Sequence, residues 1–332
     1  DPTRIKWSSS LKQHMSRSTA LQFSHDAFRE ASYRPFDKEN VYFAPALNHR
    51  QGELRQIFPT PHHTNVGIVV MGPRPAAEFS VLASNVMPDV AQFTYTIQFF
   101  PRYTYRKPDT DDGALDFSTG DVDVDEWGYE RIDNITDEIA SLYRSKLGDD
   151  VTKDDIFNFV YGLLHSPAYR AAYAADLKKM LPRIPTPESR NEFDTYANAG
   201  RQLLTLHADY EDVEPYPLDI TVKKGHRPDD PDTWRVQKMK WRSKTDHSTI
   251  IYNPQVTISG IPEEAERYLL GSRTALGWII ERYQIKPDKD SKIVNDPNDW
   301  CDEHDDLTYI VDLIRKVTTV AVETMQIVDS LP

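Results

Sequence analysis

His165 and Ser166 are adjacent in the chain and could place a general base beside a hydroxyl nucleophile. A working pair of this kind needs an acidic group that orients the imidazole, and the neighbouring sequence offers none. Ser166 is followed by Pro167, an order typical of a helix that begins with a serine cap and has proline at its first position. The pattern therefore predicts a boundary between two helices here, without catalytic chemistry.

Other polar clusters resemble catalytic sites only superficially. Asp288, Asp290 and Lys292 have the composition of a nuclease site, but their spacing is too short for two strands to hold them around a metal ion. We expect a polar turn there. The acids within residues 109–113 lack the distant glutamate of an EF-hand loop. No P-loop, dinucleotide-binding or nucleophile-elbow motif occurs, so we expect no catalytic residue and no cofactor in this chain.

Metal binding is also not expected. His304 to Asp306 lie near Cys301, but no other histidine or cysteine stands at ligand spacing, and the two aspartates would serve as N-terminal charges of the last helix. His62 and His63 lie in a proline-flanked stretch, which we interpret as a surface loop. A single cysteine excludes an internal disulfide and a cysteine-based zinc site.

What remains is chemistry suited to recognising nucleic acid. Arginine can contact guanine or phosphate through two hydrogen bonds at once. The first candidates for DNA binding lie in or beside loops of the N-terminal part: Arg34, Lys38, Arg50, Arg55, Arg74, Arg102 and Arg106. The second candidates form a basic run: Lys223, Lys224, Arg227, Lys238, Lys240, Arg242 and Lys244.

A strand from Trp234 to Trp241 would organise part of the second run. Side chains alternate along a strand, so Lys238, Lys240 and Arg242 would project to one face as a basic ladder between the two tryptophans. A solvated sheet face and a DNA-contacting face fit this spacing equally well.

The charge distribution agrees with localised recognition. The net charge is −13, which argues against a surface that is basic throughout. Residues 1–107 carry 13 Lys/Arg against 8 Asp/Glu, residues 108–155 carry 4 against 16, and residues 223–244 carry 8 against 3. Two basic regions therefore flank an acidic one, although ordinary charge scatter remains an alternative.

The strands and helices expected around these residues indicate an α+β fold in three parts. Residues 1–107 form a β-rich recognition part with long loops, with strands expected at 41–43, 66–71, 79–83 and 93–100. Residues 108–134 form an acidic loop or linker. Residues 135–332 form a mainly helical part with a small β-section at about 216–258. Its expected helices cover residues 152–164, 166–181, 188–210, 263–283 and 310–328.

The sequence also indicates where in the cell the protein acts. The apolar runs are far shorter than a membrane span, and no apolar leader follows Asp1, so we expect a cytoplasmic protein. A start without Met leads us to expect a piece of a longer protein.

Four segments carry a resemblance to a known family. They are YRPFDKENVYF at 33–43, FPRYTY at 100–105, DDIFNFVYGLLHSPAYRAAYAADLKKMLPRIP at 154–185 and LGSRTALGWIIERYQIKPDKDSKIVNDPNDW at 270–300. In this order they resemble the C-terminal specificity domain of Type ISP single-polypeptide restriction–modification enzymes.

The resemblance implies a module that reads a short double-stranded DNA sequence and positions adenine for N6 methylation. The parent polypeptide would carry the nuclease, helicase-like and methyltransferase domains, and would use S-adenosylmethionine, ATP and Mg²⁺. An alternative is an interdomain or protein-interaction scaffold in a larger defence enzyme.

Overall fold

The computed structural model describes residues 9–17, 22–48, 51–73, 77–108, 123–289 and 292–332. Within these ranges, the N-terminal part contains two α-helices, α1 and α2, a short 3-10 helix at His25–Ala27 and seven strands, β1 to β7, and an eighth strand, β8, follows the acidic segment. Their bounds are α1 Ser9–Ser16, β1 Phe28–Arg34, β2 Asp37–Tyr42, α2 Leu54–Ile57, β3 Gly67–Met71, β4 Val81–Ser84, β5 Met87–Pro88, β6 Ile97–Pro101, β7 Tyr103–Arg106 and β8 Glu130–Asp133.

These strands form three small sheets. Their orders are β2–β1–β5, β4–β3–β6 and β7–β8. The strand expected at 93–100 begins only at Ile97, because residues 91–94 form a turn in which Thr94 has φ +67° and its N–H donates to the carbonyl of Ala91. The expected loop at 108–134 is wrong at its end, where β8 pairs antiparallel with β7. Residues 109–122 lie outside the described residues.

The next part is helical. It contains α3 Asp137–Leu147, α4 Lys153–His165, α5 Pro167–Ala172, α6 Ala174–Leu177 and α7 Arg190–Ala208. Thr152 and Asp155 form the expected capping box at the start of α4. Ser166 caps α5 by accepting from the backbone N–H of Tyr169, which confirms the predicted helix boundary. The helix expected at 166–181 divides at Tyr173 into α5 and α6.

The last part combines short strands with helices. It contains β9 Asp219–Val222, α8 Pro231–Trp234, β10 Lys240–Trp241, β11 Thr249–Ile251, β12 Val256–Ser259, α9 Glu263–Arg267, β13 Leu269–Leu270, β14 Arg273–Thr274, α10 Ala275–Arg282, β15 Lys286–Pro287, β16 Val294–Asn295, α11 Asn298–Glu303 and α12 Tyr309–Asp329. The four-stranded sheet has the order β10–β11–β12–β9.

Two expected elements of this part are wrong. The strand from Trp234 to Trp241 is absent, because Asp230 caps a short helix that ends at Trp234 and only Lys240–Trp241 pairs with β11. The helix expected at 263–283 is interrupted by the β13–β14 hairpin. Gly271 turns this hairpin with φ +67°, a conformation that glycine adopts without strain.

The central strand β3 is covered on both faces, and all five of its residues are buried. Ile68 and Val70 pack into the core formed with α3, α4 and α7, whereas Val69 and Met71 pack into the core that contains α10 and α12. Alternation along a strand explains this division. Both cores therefore draw residues from the two sides of residue 107.

Helices α4 and α7 approach each other closely at two glycines. A methyl group on Gly200 would lie 1.8 Å from the carbonyl oxygen of Asn158, and one on Gly162 would lie 2.0 Å from that of Tyr196. The crossing therefore requires hydrogen at both positions.

A buried hydrogen-bond chain joins four elements around His207. The backbone N–H of Ala83 donates to the hydroxyl of Tyr161 at 2.7 Å, and that hydroxyl donates to Nδ1 of His207 at 2.6 Å. The Thr324 hydroxyl donates to the carbonyl of Val320, so it accepts from Nε2 of His207 at 2.8 Å. The Tyr161 hydroxyl is assigned as the donor because the buried imidazole is neutral. Burial lowers the pKa of His207 to about 3.

Candidate nucleic-acid interface

Two candidates of the N-terminal set are held by carboxylates within the chain. Nη1 of Arg34 lies 3.2 Å from Asp89, and Nζ of Lys38 lies 2.7 Å from Glu211. Both cationic side chains are largely buried, with 15% and 16% exposure. Their positive charge is therefore largely compensated by neighbours from distant parts of the sequence.

Arg102 is even more enclosed, with 4% exposure. Its Nε donates to Asp154 at 2.7 Å and its Nη1 binds Asp133. The guanidinium thus joins the β6–β7 corner to β8 and to the start of α4. Arg102, a DNA-binding candidate in the sequence, is therefore bound by two carboxylates of its own chain.

The remaining N-terminal candidates differ in exposure. Arg55 is exposed on α2, and the exposed Arg106 pairs with Glu130 across the β7–β8 ladder. Arg50 and Arg74 lie outside the described residues.

All seven candidates of the second basic run are exposed. Arg227 pairs with Asp229 on its own loop. The other six form no ion pair with any residue in the described part of the chain: Lys223, Lys224, Lys238, Lys240, Arg242 and Lys244.

Three of these side chains share one face of the four-stranded sheet, which we call the basic face. The register across the sheet runs Lys240, Ile251, Thr257, Thr221. Arg242 continues the ladder through its N–H to Thr249, and Lys223 does so through its N–H to Gln255. Residues two apart point to the same side, so Lys223 joins Lys240 and Arg242 from the opposite edge, about 14 Å away at standard strand spacing.

The opposite face of the same sheet packs into the core. Ile250 and Ile258 are fully buried there, and Trp241 covers them at the edge. This packing fixes which face points outward. Of the predicted ladder, Lys240 and Arg242 are placed on one face, whereas Lys238 precedes the strand.

A second basic surface was missed in the sequence. The β15–β16 hairpin, the β1–β2 turn, the end of α10 and the loop before β6 line an open surface cavity of about 620 Å³, which we call the hairpin cavity. Its lining includes Arg273, Lys286 and Lys289. Lys286 and Lys289 belong to the stretch that was interpreted only as a polar turn, and nothing in the spacing indicates that Arg273 lies beside them.

Two of the segments quoted for the resemblance meet beside this cavity. Arg282 of α10 donates to Asp37 of the YRPFD turn at 2.6 Å, and the hydroxyl of Tyr283 donates to the carbonyl of Phe36 at 3.1 Å. Burial raises the pKa of Asp37 to about 6, and this effect outweighs the lowering caused by Arg282. These contacts show that the two segments form one structural clamp.

The histidines of the clusters that resembled catalytic or metal sites make hydrogen bonds within the fold. His165 is buried and bonds through Nδ1 to the carbonyl of Tyr161. His63 is buried between Asp125, at 2.8 Å from Nε2, and Thr60, so only its neighbour His62 fits the expected surface loop. Among the described residues, no group of three potential ligands could hold a metal ion.

Asp290 of the nuclease-like trio lies outside the described residues. None of the helices within the described ranges is both long enough and apolar enough to cross a bilayer.

Comparison with protein families gives a match over residues 1–313 to the Type ISP C-terminal specificity domain. The chain belongs to this family. No curated protein sequence matches it.

Three solved structures are similar to this specificity domain over 99% of its length. The first is the ATP-dependent Type ISP restriction–modification enzyme LlaBIII bound to DNA, with 33% sequence identity and a TM-score of 0.83. The second is a nuclease-deletion mutant of the Type ISP restriction–modification enzyme LlaGI in complex with a DNA substrate mimic, with 35% identity and a TM-score of 0.77. The third is a DrdV–DNA complex, with 30% identity and a TM-score of 0.80. The domain spans 20%, 22% and 30% of those chains, respectively.

Proposed function

We propose that this specificity domain recognises a short double-stranded DNA sequence for a restriction–modification enzyme. The observation that carries the proposal is its similarity, along nearly its whole length, to three proteins whose structures contain DNA or a DNA mimic. The exposed cations of the basic face support it, because they lack carboxylate partners among the described residues and can contact phosphates.

The proposal extends to a parent polypeptide. There the domain positions adenine for N6 methylation and directs cleavage, while methyltransferase, nuclease and helicase-like domains supply the chemistry with S-adenosylmethionine, ATP and Mg²⁺. Adenine must leave the base stack to be methylated, so a separate module that holds the flanking duplex in register serves that step. A DNA partner fits a location in bacterial or archaeal cytoplasm.

Salt-titrated binding to duplexes of random sequence tests the central claim. Phosphate contacts release counterions, so the logarithm of the association constant should fall linearly with the logarithm of the salt concentration, with a slope of about −0.9 per phosphate. Absence of binding by the chain at low salt contradicts the proposal. It would instead favour an interdomain scaffold whose basic face docks another domain.

A charge-removal experiment tests the basic face. Lys240→Gln with Arg242→Gln should weaken binding and reduce the slope by about 2 if each contacts one phosphate. Lys178→Gln with Lys179→Gln is the matched control, since it removes two exposed charges after α6. Equal effects of the two pairs would show that only total charge matters. Sequencing of the methylome in the host would then give the recognised motif.

A further inference from the structure

The hairpin cavity combines several cations at one place. Its lining contains five basic side chains, Arg34, Arg273, Arg282, Lys286 and Lys289, against three acidic ones, Glu39, Glu281 and Asp288. The volume of about 620 Å³ leaves room for a phosphodiester group with its sugar. Asp89 and Asp37 lie outside the lining and pair with Arg34 and Arg282, so the charge available to an anion comes from the cavity's remaining cations.

Most of the cavity's cations have partners of their own. Arg34 pairs with Asp89, and Arg282 binds both carboxylates of the β2 strand, Asp37 and Glu39. These pairs hold the wall in place and leave little charge for a ligand.

Two cations of the cavity have no such partner. Neither Arg273 nor Lys289 forms an ion pair with any residue in the described ranges. Arg273 is half-buried, and its guanidinium carbon lies 5.1 Å from the centroid of the fully buried Trp278 ring, which positions the group. Lys286 is only loosely held, 3.4 Å from Glu281 and 58% exposed. A positioned arginine without a counterion is a binding group for an incoming anion.

Backbone strain is concentrated around the same cavity. Thr94, whose side chain lines it, has φ +67°, and Lys292 of the β15–β16 connection has φ +62°. A β-branched residue in the left-handed region is strained and persists only where the surrounding structure imposes that conformation. Backbone N–H of Thr94 donates to Ala91 at 2.7 Å, which imposes this turn. Strain of this kind is typical of ligand-holding loops.

The cavity is connected to the second basic run. The backbone N–H of Ile285 donates to the carbonyl of Gln237 at 3.0 Å. Lys286 follows Ile285, and Lys238 follows Gln237. The second basic run is therefore adjacent to the wall of the hairpin cavity.

We propose that the hairpin cavity binds a backbone phosphate of the recognised duplex, with Arg273 as the fixed ligand and Lys289 and Lys286 as flexible ones. This inference rests on the proposed function. The contact positions the duplex and contributes affinity without reading sequence, because phosphates are the same at every base pair. Arg273 anchors the register, since its guanidinium is held before DNA arrives.

The test compares variants of the whole 332-residue chain on a random duplex pool. Because the cavity holds one phosphate, Arg273→Gln with Lys289→Gln should reduce the magnitude of the salt slope by about 0.9 and weaken binding severalfold, and neither single substitution should reduce the slope by more than that. Arg273→Lys keeps the charge and should retain the slope. Lys178→Gln with Lys179→Gln is again the charge-matched control.

Sequencing of the bound fraction separates the outcomes. The motif enriched by the variants should equal the motif enriched by the unmodified chain. A changed motif with Arg273→Gln means that Arg273 reads a base, which overturns the phosphate assignment. Slopes equal to the control pair overturn the site while leaving the proposed function intact. Failure of the unmodified chain to bind at low salt refutes both.

Discussion

The His207 network makes the stability of the fold depend on pH in a calculable way. In the unfolded chain a histidine takes up a proton near pH 6.5, whereas in the folded chain the pKa of His207 is about 3. The neutral form is therefore the folded form. Its stabilising contribution is complete above pH 6.5 and is lost as pH falls toward 3, because the unfolded state gains the proton first.

The expected loss can be worked out from these two values. At pH 5 the unfolded state is stabilised by about 2 kcal/mol relative to pH 8 through this single histidine. His165, whose pKa burial also lowers, adds a loss in the same direction. Replacing His207 by glutamine removes its titration, and it also removes hydrogen bonds to Tyr161 and Thr324, which contribute about 1 kcal/mol each.

The assay is equilibrium unfolding in urea at several values between pH 8 and pH 5. His207→Gln should be less stable than the unmodified chain at pH 8, and the difference should shrink by about 2 kcal/mol at pH 5. His226→Gln is the matched control, since it replaces an exposed histidine and leaves the His207 network in place. Parallel curves for His207→Gln and the unmodified chain would refute the neutral, buried imidazole.

Three further results follow from packing and charge. Gly200→Ala should lower the free energy of unfolding by about 1–3 kcal/mol in urea titrations, because the added methyl group meets the Asn158 carbonyl. An unchanged midpoint would contradict the close helix crossing. Arg282→Gln should lower the free energy of unfolding by about 3 kcal/mol at pH 7.5, because it leaves the Asp37 carboxylate buried without its partner. The loss should be clearly smaller at pH 5, where Asp37 is largely protonated, and an equal loss at both pH values would exclude the buried ion pair. Burial, and then nearby aspartates, raise the pKa of Cys301 to about 11, so a disulfide reagent should label it slowly until urea unfolds the chain; rapid labelling of folded protein would contradict this.

Local signals in the sequence predicted the helix ends well. The capping box at Thr152 and the Ser166–Pro167 boundary depend on contacts within three residues, so the pattern carries the information. The α+β class and the family resemblance were also confirmed. In contrast, the sequence from Trp234 resembled an alternating strand, but Asp230 caps a short helix that begins at Pro231 and ends at Trp234.

Long-range partners explain what the sequence did not predict. Arg102 finds Asp154 52 residues later, and Arg282 finds Asp37 245 residues earlier. Such distances leave no spacing pattern, so the basic residues that are free and those that are bound look alike in the sequence. The same reason hid Arg273, whose neighbours in the hairpin cavity come from three separate segments.

The double coverage of β3 has a consequence for exchanging parts between relatives. A chimera joined near residue 107 would combine halves of both cores from different proteins, and mismatched packing in each would destabilise it. The loops that carry Lys223 to Arg227 and Arg242 to Lys244 lie outside both cores. Transplanting those loops leaves both cores unchanged, so one retained scaffold tolerates loops of different sequence.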